Sequence, residues 1–290
     1  MNKLSPFLLG LSLVAAGGSL ASAQDQPTPA VSVPKYLQII VEYTKPGKGG
    51  MAHDKTESAF VQAATKVNFP IHYIAFNAMS GKPRAIFISH FDSFEAVQTA
   101  SKVFEDPANA AEFERINVDD GELLEDSKQL IFKYIPELSY HPHGPNPHAR
   151  YLEARIVHVR PGQGKEFEEL VKMWIAASDK AGSSNHWGAY RVEYGEQIGS
   201  YVFLTTDESM ADIDKGEAEE PKFMEILSEA DKREARELRS AAIDEDRFEL
   251  YSLNPVQSYP PDEFIKADPD FWAPKAAAKP MMEGKKGKHD

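Results

Sequence analysis

"VRPGQGKEFEELVKMW", Val159 to Trp174, ends a strand-like run in a Pro-Gly turn and opens an amphipathic helix. Phe167, Leu170, Val171, Trp174 and Ile175 recur at helical spacing and line one face. The same turn occurs earlier, in "TKPGKGG", Thr44 to Gly50. Glycine suits such turns because it takes positive φ without a Cβ clash. A shift of 115 positions lays one copy over the other. Tyr36-Leu37 falls on Tyr151-Leu152, Lys45-Pro46-Gly47 on Arg160-Pro161-Gly162, and Gly49 on Gly164. Ile86-Phe87-Ile88 falls on Tyr201-Val202-Phe203. The period is too long for a solenoid unit, so two copies make a pair rather than an array.

Each copy reads strand, helix, strand, strand, helix, strand. In the second, strands are expected at 151–159, 186–194, 200–205 and 247–253, with helices at 165–180 and 221–242. In the first, strands are expected at 36–44, 71–78, 84–90 and 129–135, a helix near 54–67, and a helical region from Ser93. Asp54 with Glu57 has the spacing of a capping box. "HPHGPNPHAR", His141 to Arg150, is a Pro-rich linker between the copies. The expected organisation is therefore a signal peptide at 1–23, a linker at 24–34, a first repeat at 35–140, a Pro/His-rich linker at 141–150, a second repeat at 151–254, and an extended, partly disordered tail at 255–290. Phe264, Phe271 and Trp272 are placed to pin part of that tail to the body.

Two βαββαβ units, each with a Pro-Gly-x-Gly turn after the first strand, resemble a tandem of the dimeric α+β barrel superfamily. The resemblance covers residues 36 to about 254 and takes in NIPSNAP-like and antibiotic-biosynthesis-monooxygenase-like proteins. It implies an α+β fold in which two ferredoxin-like repeats pack sheet to sheet as an intrachain dimeric barrel. A pseudo-dimer within one chain follows, with room for a further homo-oligomer. Haem-binding relatives of this fold hold iron with a helix histidine. The expected helices offer only His53, at the edge of the first, so no cofactor is expected.

The composition bounds the function. The 290 residues are 42% hydrophobic and 27% charged, a globular balance. "MNKLSPFLLGLSLVAAGGSLASAQ" has a basic start, an apolar core and an Ala21-Ser22-Ala23 cleavage site, so a mature chain starting at Gln24 in a bacterial periplasm or exterior is expected. There is no cysteine, which excludes disulfides and thiol chemistry. Net charge is −13, and losing Lys3 with the leader takes it to −14. Such an acidic chain without a basic stripe is not expected to bind nucleic acid. No run is apolar enough for a membrane span.

Strand alternation nominates the site residues. Leu37, Ile39, Val41 and Tyr43 correspond to Leu152, Ala154, Ile156 and His158 on one face. Glu42, Glu153 and Arg155 lie on the other, with Arg191 on a following strand. Charges buried between sheets must be paired or must line a wet cavity. Arg155 in particular needs a carboxylate, Glu42 or Glu153 first, or an anionic ligand. The candidate ligand-binding set is Tyr43, Glu42, Glu153, Arg155, His158 and Arg191. No HExxH and no i, i+4 histidine pair occurs, so no metal site is expected; His141, His143 and His148 sit in a Pro-rich linker. Two functions stay open. One is an exported protein that binds a small molecule in a barrel pocket. The other is a cofactor-independent monooxygenase or isomerase acting on a phenolic or enolic molecule. No recognisable acid–base constellation identifies a catalytic residue.

Overall fold

A computed structural model describes residues 33–272. The expected signal peptide, most of the 24–34 linker and the end of the tail lie outside these residues. The first half contains β1 (Tyr36–Thr44), α1 (Met51–Lys66), β2 (Tyr73–Ala78), β3 (Arg84–Phe91), α2 (Phe94–Ser101), α3 (Pro107–Gly121) and β4 (Leu124–Tyr134). The second contains β5 (Tyr151–Val159), α4 (Gly164–Ala181), β6 (Gly188–Tyr194), β7 (Ser200–Asp207), α5 (Met210–Ile226), α6 (Glu229–Ala242) and β8 (Ile243–Tyr259). Two short helices follow, α7 (Asp262–Ala267) and α8 (Pro269–Trp272). Gly47 and Gly162, equivalent residues of the two turns, have φ of 76° and 84°. Any side chain there would strain the backbone, which is why both turns keep glycine.

The eight strands form one closed barrel in the order β1-β3-β2-β8-β5-β7-β6-β4, with every neighbouring pair antiparallel. Two separate sheets packed face to face were expected. Instead the edge strands of the halves hydrogen-bond to each other, β2 to β8 and β4 to β6. Closure leaves no free edge for another chain to join. Leu37, Ile39, Phe76, Ile86 and Phe132 meet Leu152, Ala154, Val202 and Leu253 inside the barrel. Phe264 and Trp272 join that core, and the Trp272 indole donates to the Pro147 carbonyl at 2.8 Å.

The other strand face lies under the helices, not between sheets. In the second half this layer is filled by Val157, Phe167, Leu170, Val171 and Tyr201. Burying each large apolar side chain there contributes about 1.5–3 kcal/mol. In the first half the buried apolar cluster of this layer is smaller, formed by Ala75, Ala85 and Phe87 and backed by Ile40 and Tyr73.

β8 runs to Tyr259, past the expected limit of the second repeat at 254. Its first part pairs with β5 and its last part with β2, across an irregularity between Tyr73 and Ala75 of β2. At this seam the buried Arg84 side chain donates to the Tyr251 hydroxyl at 2.8 Å and pairs with Glu249 at 2.6 Å. The Ser258 hydroxyl accepts from the Ala75 amide at 2.9 Å.

Arg155 meets neither Glu42 nor Glu153. It donates two hydrogen bonds to Asp246 of β8, at 2.9 and 2.8 Å, and stacks 4.4 Å from the Trp174 ring. Arg239 of α6 reaches the same carboxylate at 2.6 Å. The nearer partner is set by register: Arg155 pairs with Phe248 and Asp246 with Val157, so both side chains share the helix-facing side. Burial pushes the Asp246 carboxyl up, but the two guanidiniums outweigh it and hold it below its ordinary value.

Two outcomes are expected. Residues 35–140 and 151–259 made separately will each expose an apolar inner face and two unpaired edges, and will associate or stay unfolded. Size-exclusion and thermal melts check this; a monomeric half with a sharp melt contradicts the seam. Arg155→Met will lower stability by about 1–3 kcal/mol at pH 7, less than a fully stranded charge because Arg239 remains. Asp246 has a depressed carboxyl, so its contribution is present above pH about 4 and lost as pH falls further. Denaturant titrations should therefore show the gap between parent and variant narrowing on acidification.

Candidate functional site

α1 begins at Met51, capped by no side chain, so Asp54 and Glu57 lie inside the helix rather than forming its capping box. His53 and Glu57, four residues apart, occupy one face of α1 and are both buried. That face covers β1, whose helix-facing Glu42 brings Oε2 to 3.1 Å from the His53 Nε2. Asp120, in the last turn of α3, places Oδ1 at 3.5 Å from the same nitrogen, and Glu57 Oε1 lies at 3.8 Å. One ligand atom from each of these four side chains falls within 4.8 Å of the others. The sequence reading expected no metal-binding set. The structure brings four potential ligand side chains together from β1, α1 and α3, where no single local motif spans the members.

The surroundings fix the cluster. Thr56 donates to Asp120 Oδ1 at 2.6 Å. Gln257, carried by the far end of β8, places Nε2 at 3.3 Å from His53 Nδ1 and 3.0 Å from Asp54 Oδ1. Asn254 donates to the same Asp54 oxygen at 2.8 Å. In this arrangement Nδ1 accepts and the Nε2 proton is donated to Glu42. Glu57 Oε1, the Tyr73 hydroxyl and Gln257 Oε1 are buried without a hydrogen-bond partner. Burial pushes the Glu42 carboxyl up, partly opposed by the His53 hydrogen bond. Burial, with the charges of Glu42 and Asp120, pushes the Glu57 carboxyl well above its ordinary value. Burial likewise raises the Tyr73 hydroxyl, so it stays a phenol.

Glu42, Glu57, Asp120 and Tyr73 line a 640 Å³ cavity between the first-half strands and their helices. Phe60, Phe69, Phe87, Phe104 and Phe113 add an aromatic part to a wall that is otherwise a mixture of aliphatic and polar residues, Glu125 and Asp126 among them. His53 stands behind the carboxylates, 2% exposed. In the second half the layer between strands and helices is packed instead with Phe167, Leu170 and Val171. The first-half cavity can take a small aromatic molecule whose polar end meets the carboxylates.

Of the six residues nominated from sequence, only Glu42 belongs to this cluster. Glu153 and Arg155 line a separate 380 Å³ cavity with Trp174, Phe203 and Phe248. Burial and the charge of Glu217 raise the Glu153 carboxyl. Arg155 is held by Asp246 and is not free for an anion. Tyr43 packs under the Lys82 ammonium, 4.9 Å from its ring centre. His158 lies 3.3 Å from the Ser200 hydroxyl, outside both cavities. Arg191 is exposed and pairs with Glu193 at 3.2 Å, so it is not the buried charge that was expected. The linker histidines diverge: His141 faces Asp179, His143 stacks on His186, and His148 approaches Asp268. His53, Glu57 and Asp120 were missed. The i, i+4 spacing of His53 and Glu57 was the available signal, and Asp120 had none.

No family model matches the sequence, and no curated protein sequence matches it. Solved structures do. A "putative monooxygenase" from Fusobacterium nucleatum is 9% identical with a TM-score of 0.50, covering 76% of this chain and 93% of its own. An anthrone oxidase-like protein is 10% identical with a TM-score of 0.47, covering 78% of this chain and 93% of its own. A chlorite dismutase mutant from Candidatus Nitrospira defluvii, in complex with cyanide, is 9% identical with a TM-score of 0.48, covering 82% and 96%. At these identities the likeness is one of fold. Among the described residues no helix is long and apolar enough to cross a membrane. The closed antiparallel barrel and the helices over it give this chain the dimeric α+β barrel fold.

Proposed function

We propose that this chain is an exported small-molecule-binding protein whose ligand is a compact aromatic molecule bearing a phenolic or enolic hydroxyl, held in the first-half cavity. The observation that carries the reading is a cavity with five phenylalanines in its wall and the carboxyl-bearing side chains of Glu42, Glu57 and Asp120 in its lining. The aromatic walls supply area; the carboxylates supply orientation and repel anions. Export rests on the Ala21-Ser22-Ala23 cleavage site behind an apolar core, together with the lack of cysteine.

A second reading has one observation in its favour. His53 and Glu42, 3.1 Å apart at the inner end of a cavity, form the kind of pair that relays a proton from a hydroxyl. That geometry supports a cofactor-independent isomerase or monooxygenase acting on the same ligand class.

Calorimetric titration with 2-naphthol and 2-naphthoate tests the binding site. The phenol is expected to bind, and the carboxylate to bind at least about ten-fold more weakly because it meets like charge. Asn117, exposed at the rim of the cavity, is a place to block entry without touching the core. Asn117→Trp is expected to abolish 2-naphthol binding with an unchanged melt. Equal affinity for both compounds, or binding that survives Asn117→Trp, overturns the site. Intact-mass measurement of protein from its native host tests export: a first residue of Gln24 is expected, and a retained Met1 overturns it.

A further inference from the structure

We propose that Glu42, His53, Glu57 and Asp120 hold a divalent transition-metal cation whose open face is the first-half cavity. The inference deepens the site described above and rests on that reading only for the ligand the cation would meet.

Three carboxylates converge on one imidazole nitrogen at 3.1, 3.5 and 3.8 Å, and Glu57 and Asp120 are 4% and 3% exposed. Like charges this close and this buried require compensation, by protons or by a cation. Among the contacts of the cluster no lysine or arginine supplies it; the neighbours are Thr56, Asp54 and Gln257. The second observation is independent of the acidity. Glu57 Oε1 is fully buried, has no hydrogen-bond partner, and points toward the His53 Nε2 at 3.8 Å. A structural carboxylate in such a place normally finds a donor. A metal ligand does not need one.

The donor set selects the class. One imidazole nitrogen with three carboxylate groups suits Mn²⁺, Fe²⁺ or Zn²⁺ better than Ca²⁺ or Mg²⁺, which favour all-oxygen shells. The supporting residues fit a metal site as well. Thr56 fixes Asp120, and Gln257 meets His53 Nδ1, where a second-shell group orients a ligating imidazole. In the cation form the ring proton sits on Nδ1 instead of Nε2, and Nε2 presents its lone pair. The Gln257 amide then turns by half a turn, bringing its partnerless Oε1 onto the Nδ1 proton at the expense of its hydrogen bond to Asp54. Asn254 still donates to Asp54. Because the carboxylates line the cavity and His53 lies behind them, a phenolate or enolate oxygen arriving from the cavity reaches the cation directly.

The test uses the full chain, stripped with a chelator, then dialysed against Mn²⁺ or Zn²⁺ alone and analysed for bound metal. One equivalent per chain and a raised melting temperature are expected. Glu57→Gln and Asp120→Asn are expected to fold, with melts at or above the metal-free parent, and to weaken binding by about ten-fold or more. Gln257→Leu, which leaves all four ligands in place, is expected to weaken it less. No bound equivalent overturns the site. So does binding retained in the Glu57→Gln/Asp120→Asn double variant, which would put the metal at the surface or linker histidines. Repeating the 2-naphthol titration with stripped and loaded protein separates the two readings. Naphthol bound without any metal site refutes the cation alone, and a metal bound without naphthol refutes the ligand reading alone.

Discussion

The last strand carries the constraint on which the molecule depends. β8 is 17 residues long, about twice the length of most of its neighbours, because it belongs to two pairings in succession. Up to Ser252 it follows β5; from Tyr251 onward it follows β2. Each half alone is a four-stranded sheet with two open edges. Only a strand that crosses the seam closes one of them, and the pairing of β4 with β6 closes the other. The Arg84–Tyr251–Glu249 group sits where the crossing happens. Its buried guanidinium cannot lose its proton, so the seam stays intact only while the acidic partner is in register.

That strand also finishes the site. Gln257 and Asn254 come from the far end of β8, yet they contact His53 and Asp54 of the first helix. The irregular pairing between Tyr73 and Ala75 lets the strand bend so that Gln257 faces the cluster while Ser258 takes the freed Ala75 amide. A site in the first half is thereby supported by residues 200 to 204 positions away. The strand that closes the barrel thus also holds the His53 ring and the Asp54 carboxylate beside the cluster.

The fold was legible because it is written in local pattern. The Pro-Gly turns at Gly47 and Gly162, the apolar stripe of α4 and the alternation of β1 and β5 each report on a few neighbouring residues. Edge-to-edge closure was not legible, since sheet edges look alike in sequence whether they meet a partner or water. Strand alternation also gave the right pairs of faces and the wrong surroundings. Glu42, Glu153 and Arg155 do share a face, but it looks toward the helices. The partner of Arg155 followed from strand register, which sequence does not supply. Glu42 could be nominated from one strand; His53 and Glu57 needed attention to helical spacing, and Asp120 needed the tertiary structure itself.

The two halves differ in the layer between strands and helices, and the difference explains where the site is. Glu42 of β1 stands where β5 has Val157, which is fully buried against Phe167, Leu170 and Val171. One half thus spends this layer on apolar packing and the other on a cavity with charged groups at its inner end. Cavities and buried carboxylates both reduce stability. In a single-copy barrel that reduction would fall on every repeat. Here the filled second half contributes its core to the same closed barrel, and β8 transmits that stability to the first half through continuous hydrogen bonding. The filled layer of the second half makes the costly layer of the first tolerable within one barrel.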